Sequence, residues 1–333
     1  MKGRSGSGVI RNPSIMGLAG AELISSAGTA MTWIAIPWFV LQATGSASRM
    51  GLVFAVEVAP TIVLGIPSGS IVQRFGPRRT MLVCDAARAP LLALVPFLAS
   101  HGALSFEGLL ILVAAAGVFT APYLACQRVI LPSIVGEDAA QVGQANTVVG
   151  GATTLGNLLG APVGGILIAA LGTMNVLWID AASYLVAFSL VLLLVRTQNP
   201  SGEEEAAPGV LAGLRYIAHD RIILGVSLVV LLSGFWFPIL VVSIPAYAFL
   251  HGADPRVAGL LLFAFSAGTA IGSIVSYRAL ARVPPLRLAR FALIWIAASL
   301  CLVAMNLPTA AMAAVLGLGA LLVPSANAPA LPC

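Results

Sequence analysis

The chain has 333 residues, 59% hydrophobic and 9% charged, with 17 lysines and arginines against 12 acids and a net charge of +5. A soluble domain carries about 25% charged residues to cover its surface, so this composition excludes a soluble enzyme, a nucleic-acid binder and a disordered protein. The basic excess matches a membrane protein, whose cytoplasmic loops collect Lys and Arg.

A bilayer core of about 30 Å takes about 20 apolar residues per helix. Ten stretches qualify: 14–41, 50–72, 80–99, 107–131, 143–170, 174–196, 221–250, 257–280, 287–305 and 309–326. No β-barrel alternation is present, which leaves helices as the spanning element. The expected fold is all-α, a polytopic membrane helix bundle. Met1–Pro13 is a short basic tail, and the apolar run behind it is too long for a cleaved signal peptide. Prolines 37, 60, 67, 162, 238 and 245 fall inside spans, where neighbouring helices can satisfy the carbonyls they free. With the N-terminus in the cytoplasm, all but Arg49 and Arg256 of the 17 lysines and arginines lie inside, which sets the orientation in a bacterial inner membrane.

Residues 197–220 are polar, hold Glu203, Glu204 and Glu205, and separate six spans (14–196) from an incomplete second half of about four (221–333). Leu211, Leu214 and Ala218 share one helical face there, so this linker is either an interfacial helix or a solvated segment. The halves carry a repeat. Pro37 stands fourteen residues before Gly51-Leu52, and Pro245 stands fourteen before Gly259-Leu260. Gly69-Ser-Ile-Val recurs as Gly272-Ser-Ile-Val, each running into a basic loop. Paired halves are common in transporters, and a six-plus-four count is expected of a chain cut short at its C-terminus.

Cys84, Cys126, Cys301 and Cys333 are widely spaced and read as small hydrophobes; His101, His219 and His251 form no metal-ligand cluster. No Walker lysine motif or cofactor fingerprint occurs, and no nucleophile–base pair marks an enzyme. No cofactor and no metal are expected, and the chain is taken as a monomer in lipid.

The acids inside spans need a reason, because a charge at mid-bilayer costs a few kcal/mol. Glu22 shares one helical face with Ser25, Ser26 and Thr29, expected to point at a cavity. Glu57 lies about 10 Å deep in span two at 1.5 Å per residue. Either acid would exchange protons against a cationic substrate, or else hydrogen-bond to neighbouring helices. Asp180 reads as structural. Asn146, Thr153 and Asn157 make a polar stripe on span five, and Trp33, Phe235 and Trp236 are candidate aromatic contacts for an amphipathic substrate.

The loop Gly69-Ser-Ile-Val-Gln73-Arg74-Phe-Gly76-Pro-Arg78-Arg79 resembles the Gly-x-x-x-Asp-Arg-x-Gly-x-Arg-Arg signature of the major facilitator superfamily. In that family the loop helps latch one alternating state, with its glycine allowing close helix approach. Gln73 replaces the family's aspartate, so Asp85, Arg88 and Arg128 are the candidates to complete the charge network. Gly156, Gly160-Ala-Pro162-Val-Gly164-Gly165, with Gly151 before them, resembles the family's export motif with its proline one place late. Small residues at this density let two helices slide, and Pro162 would supply a bend. "LQATGSASRMGLV", "LPSIVGEDAAQVGQAN" and "WIDAASYL" are similar to the macrolide-efflux and enterobactin-exporter-like subgroup. The resemblance implies ten of the usual twelve helices and proton-coupled export of amphipathic small molecules. Import on the same scaffold, or an inactive truncated scaffold, are the alternatives.

Overall fold

The computed structural model describes residues 11–65, 67–136, 138–197, 219, 224, 236–280, 283–303, 305 and 307–326. Every regular element among them is a helix: α1 Pro13–Thr44, α2 Ala47–Leu64, α3 Ser68–Phe75, α4 Pro77–Ser100, α5 Phe106–Val118, α6 Thr120–Val135, α7 Ala139–Leu171 and α8 Thr173–Leu194. After these come α9 Trp236–Leu250, α10 Pro255–Leu280, α11 Pro285–Val303, α12 Thr309–Ala320 and α13 Val323–Ala326. Among the described residues seven segments are long and apolar enough to cross a membrane, and three shorter apolar helices, Ile239–Leu250, Arg290–Ser299 and Thr309–Ser325, fall on the other expected spans. The linker's proposed helical face at 211–218, Phe235, the side chain of Trp236, Arg282 and the last residues from 327 onward lie outside the described residues.

Local chemistry sets the helix ends. Asn12 caps α1 by accepting from the Ser14 backbone N–H at 3.0 Å, with Pro13 in the first turn, where its missing N–H costs nothing. Ser46, Ser105 and Asp138 cap α2, α5 and α7 in the same way. Gly76, between α3 and α4, has φ +79°, a conformation that glycine adopts without steric cost.

Two expected spans are broken. Span two ends as α2 at Leu64 and restarts as α3 at Ser68; Pro67 cannot donate a backbone bond and disfavours helix in the residue before it. Span four breaks at Phe119 between α5 and α6. Pro122 has no N–H to offer the Val118 carbonyl. Thr61 Oγ1 donates to the Gly117 carbonyl at 3.3 Å, satisfying from α2 an acceptor beside that break.

The chain divides into two compact units, Met1–Glu203 and Glu204–Cys333. In the first, α1 is the central element, packed chiefly on α7 and α8, while α4 packs on α8 and α2 on α5. A core of Ile15, Leu18, Met81, Cys84, Cys126, Ile130 and Val191 joins one end of these helices. In the second unit, α10 packs on α12.

Candidate functional site

The site is a polar cluster buried between α1, α4, α6 and α8 of the first unit. Glu22, in the third turn of α1, is 2% exposed. Its Oε1 accepts from the Tyr123 hydroxyl at 3.0 Å, and its Oε2 accepts from Gln127 Nε2 at 2.7 Å. Tyr123 and Gln127 are four residues apart on α6, one above the other on the same face. Both carboxylate oxygens are thereby satisfied without water.

Arg88 of α4 is 9% exposed and is the one buried cation among the described residues. Its guanidinium carbon lies 5.1 Å from the ring centroid of Tyr123 and 5.6 Å from that of Tyr184, within the range of cation–π attraction. The Tyr184 hydroxyl and Thr29 Oγ1 are 3.1 Å apart. Farther along α8, Asp180 is fully buried, accepting from Thr32 Oγ1 at 2.5 Å and from Ser183 Oγ at 3.0 Å. Asp180 is thus a helix-joining acceptor between α8 and α1.

The expected cavity face of α1 is closed by protein. Glu22 is held by α6 and Thr29 by α8, and the buried Ser26 lies where a side chain on Gly156 of α7 would stand. The difference comes from α1 being central, since a helix surrounded by others presents its polar face to neighbours. Glu57, on α2, is half-buried with no hydrogen bond to its carboxylate among the described residues. Trp33 and Asn157 are half-buried and Asn146 is exposed, and Thr153 is the member of the span-five stripe that lies against the Glu22 carboxylate. Thr153 turns back to the Val149 carbonyl at 3.1 Å.

The signature loop behaves unevenly. Gly69, Gln73, Arg74 and Arg79 are exposed, and Arg74 lies 5.6 Å from the ring of the adjacent Phe75. A Cβ at Gly69 would meet nothing within 4 Å. The close approach expected there is absent in this conformation, in which Gly69 lies in the first turn of a short helix. Arg78 instead reaches across the bundle and donates from Nη2 to the Leu192 carbonyl at 2.7 Å. An arginine on the last carbonyls of a helix also meets the negative end of its dipole. Ser14 grips the same end of α8, donating to the Leu194 carbonyl at 3.0 Å and accepting from the Arg196 N–H at 3.0 Å. Of the candidates to complete the network, Arg128 is exposed, while Asp85 and Arg88 are buried but form no ion pair with each other.

The glycine motif builds a seam. Gly156, Gly160 and Gly164, four residues apart on α7, lie against the backbone of Leu23, Ala27 and Met31 on α1, where any Cβ would collide. Gly165 is buried and Pro162 sits within an uninterrupted α7, whereas Gly151 is exposed and open. Tyr123, Gln127, Tyr184, Thr32 and Ser183 are partners that sequence reasoning missed. The four-residue spacing of Tyr123 and Gln127 in an apolar span was the one signal available for them.

A family model of the Major Facilitator Superfamily matches residues 18–331. The multidrug efflux pump Tap of Mycolicibacterium fortuitum is 27% identical over 264 residues, covering 76% of this chain and 64% of that protein. Tap of Mycobacterium tuberculosis (strain ATCC 25618 / H37Rv) is 29% identical over 282 residues, covering 79% and 65%. The chain therefore spans less than two thirds of the length of these relatives. Among solved structures, a bacterial homologue of the human lysosomal transporter Spinster, inward-facing and unoccupied, matches with TM-score 0.68 at 16% identity, covering 99% of this chain and 75% of that one. The nucleoside transporter NupG matches with TM-score 0.75 at 10% identity, covering 94% and 80%. At those identities the structural likeness concerns the fold. The matched family model covers nearly the whole chain, and its helical spans and signature loop agree with it: the chain belongs to the Major Facilitator Superfamily.

Proposed function

We propose that the chain is a secondary active transporter of a bacterial inner membrane, N-terminus cytoplasmic, exporting amphipathic small molecules of drug, macrolide or siderophore type in exchange for protons. The two halves would alternate the access of a site near the midplane. The observation that carries the coupling is Glu22, a carboxylate buried inside the membrane-spanning unit with both oxygens held by side chains of another helix. A proton arriving on Oε1 faces the Tyr123 hydroxyl, which can accept in its turn, whereas a proton on Oε2 faces the Gln127 NH2 group, which can only donate, so that contact is lost. That changes the contact between α1 and α6, which is how a proton can alter helix packing. The direction of transport draws support from the relatives named as multidrug efflux pumps. The Gly156–Gly165 seam supports it too, since it lets α7 ride on α1.

The test is proton-driven uptake of ethidium and of a macrolide into everted vesicles carrying the chain. Glu22→Gln is expected to cut pH-dependent flux at least tenfold, and Glu57→Gln to change it less. Wild-type flux that ignores the proton gradient, or that Glu22→Gln leaves unchanged, overturns the reading.

A further inference from the structure

Asp85 differs from the other buried acids of the cluster. It is 0% exposed, and neither of its carboxylate oxygens has a hydrogen-bond partner among the described residues. Glu22 and Asp180 each accept two hydrogen bonds from side chains. Burying a carboxylate as an ion without donors or a touching cation is far more costly than burying it as the neutral acid. The one buried cation, Arg88, is three residues along the same helix, at the spacing where side chains meet. In this conformation its guanidinium lies on the faces of Tyr123 and Tyr184 and makes no ion pair with Asp85.

The groups facing Asp85 can be named helix by helix. Its own helix supplies Cys84 and Arg88, with Arg78 and Arg79 at its start. Helix α1 supplies Glu22, α6 Tyr123 and Cys126, and α8 Tyr184, while Arg128 of α6 is exposed and Asp180 of α8 is held by Thr32 and Ser183. On the other helices packed against α4, Glu107 of α5 and Arg74 of α3 are exposed and make no hydrogen bond or ion pair with Asp85 among the described residues, which leaves them outside its surroundings. Only Arg88 combines positive charge, burial and reach.

We propose that Asp85 is a second proton-binding carboxyl of the transport cycle, holding its proton in the conformation seen here and taking Arg88 from the tyrosine faces when it releases it. The inference rests on the proton-antiport reading above and assigns to that cycle a group the export motif does not include. The step is balanced. The carboxyl O–H bond breaks, the proton passes to water, and the carboxylate left behind is paired by Arg88, whose planar fork of donors suits two oxygens at once. Uptake from water on the other side reverses each change. Tyr123 links the two acids, because its hydroxyl binds Glu22 while its ring carries Arg88.

Infrared spectroscopy of the purified chain in lipid tests this without any transport. The wild type should show a protonated-carboxyl C=O band that shifts on exchange into heavy water, persists in Glu22→Gln and disappears in Asp85→Asn. Asp85→Glu should keep a band at a displaced position, which guards against misfolding of the asparagine variant. A wild type without the band, or a band that survives Asp85→Asn unchanged, overturns the proposal. Vesicle flux judges the export reading separately, so a failure of that reading and a failure of the Asp85 assignment are told apart.

Discussion

The same four residues, Gly-Ser-Ile-Val, occur twice and are used in two ways. At Gly69 they open α3, a short helix that follows a break, and a Cβ there would meet nothing within 4 Å. At Gly272 they lie inside α10, which runs unbroken from Pro255 to Leu280, and a Cβ there would run into the backbone of Leu321. One copy has Pro67 two residues before its glycine and the other has Ala270. The close crossing is also made from opposite partners. In the first unit the glycine at the α2–α5 crossing is Gly117 of α5, lying on the Glu57 carbonyl. In the second unit Gly268 and Gly272 of α10 lie on the backbone near Gly317 and Leu321. A repeat in sequence therefore keeps the helix pair that touches while moving the residue that permits the touch.

The largest expected effect follows from that asymmetry. Gly272→Val drives a branched side chain into a backbone carbonyl that cannot rotate away, and should destabilise the protein by about 3 kcal/mol, the upper range for overpacking. Scanning fluorimetry of the detergent-purified chain would read this as a clear drop in melting temperature. Gly69→Val, measured beside it, should stay within about 0.5 kcal/mol, as surface substitutions do. Equal losses at the two positions would show that the copies pack alike after all.

A smaller effect separates the next pair of matched residues. Gln73, after the first tetrapeptide, is exposed, while Ser276, after the second, is buried with its hydroxyl 2.5 Å from that of Ser325. Ser276→Ala removes one interhelical hydrogen bond, worth on average about 0.6 kcal/mol in membrane proteins. Its melting temperature should fall slightly, and that of Ser276→Thr, which keeps the hydroxyl, should fall less. No change in either variant would mean that Ser325 finds another partner at no cost.

Hydropathy was enough to find the seven helices able to cross a membrane and the three shorter apolar helices of the described residues, because burying backbone in lipid forces apolar helices whatever surrounds them. Caps such as Asn12 and Asp138 follow local rules and can be read one residue at a time. The Gly156–Gly160–Gly164 seam was also legible, since a four-residue glycine spacing has few uses other than close approach. The breaks between Leu64 and Ser68 and at Phe119 were not read from the sequence. Prolines 37 and 162 sit inside continuous helices, so proline alone does not decide whether a span breaks. The polar cluster was half legible. Glu22, Asp180 and Arg88 stand out as charges in apolar runs, but the partners of Glu22 and the Thr32 that reaches Asp180 lie 101 to 148 residues away in the chain, and the tyrosines under Arg88 come from two other helices. Which helix covers the polar face of α1 is a tertiary fact, and one sequence without its relatives' covariation does not contain it. For the same reason the sequence, which offers Asp85 as a candidate for the latch network, does not show that it is fully buried.

The smallest effect is the most informative about the signature loop. Gly69→Ala fills open space near the start of α3, and replacing a helical glycine by alanine typically stabilises by about 0.5 kcal/mol. Melting temperature should therefore hold or rise slightly. Efflux is a separate readout, because a transporter must pass through conformations other than this one. If the alanine variant melts normally and transports normally, Gly69 is a rim residue whose match to the family signature has no packing consequence here. If it melts normally and transport falls tenfold, then another helix must come within contact distance of position 69 in a different state of the cycle. Larger side chains would then be expected to lower transport in order of volume, alanine least and valine more, with stability unchanged throughout. That graded loss is the behaviour of a steric latch, and a structural glycine such as Gly272 cannot imitate it, because there stability and transport must fall together.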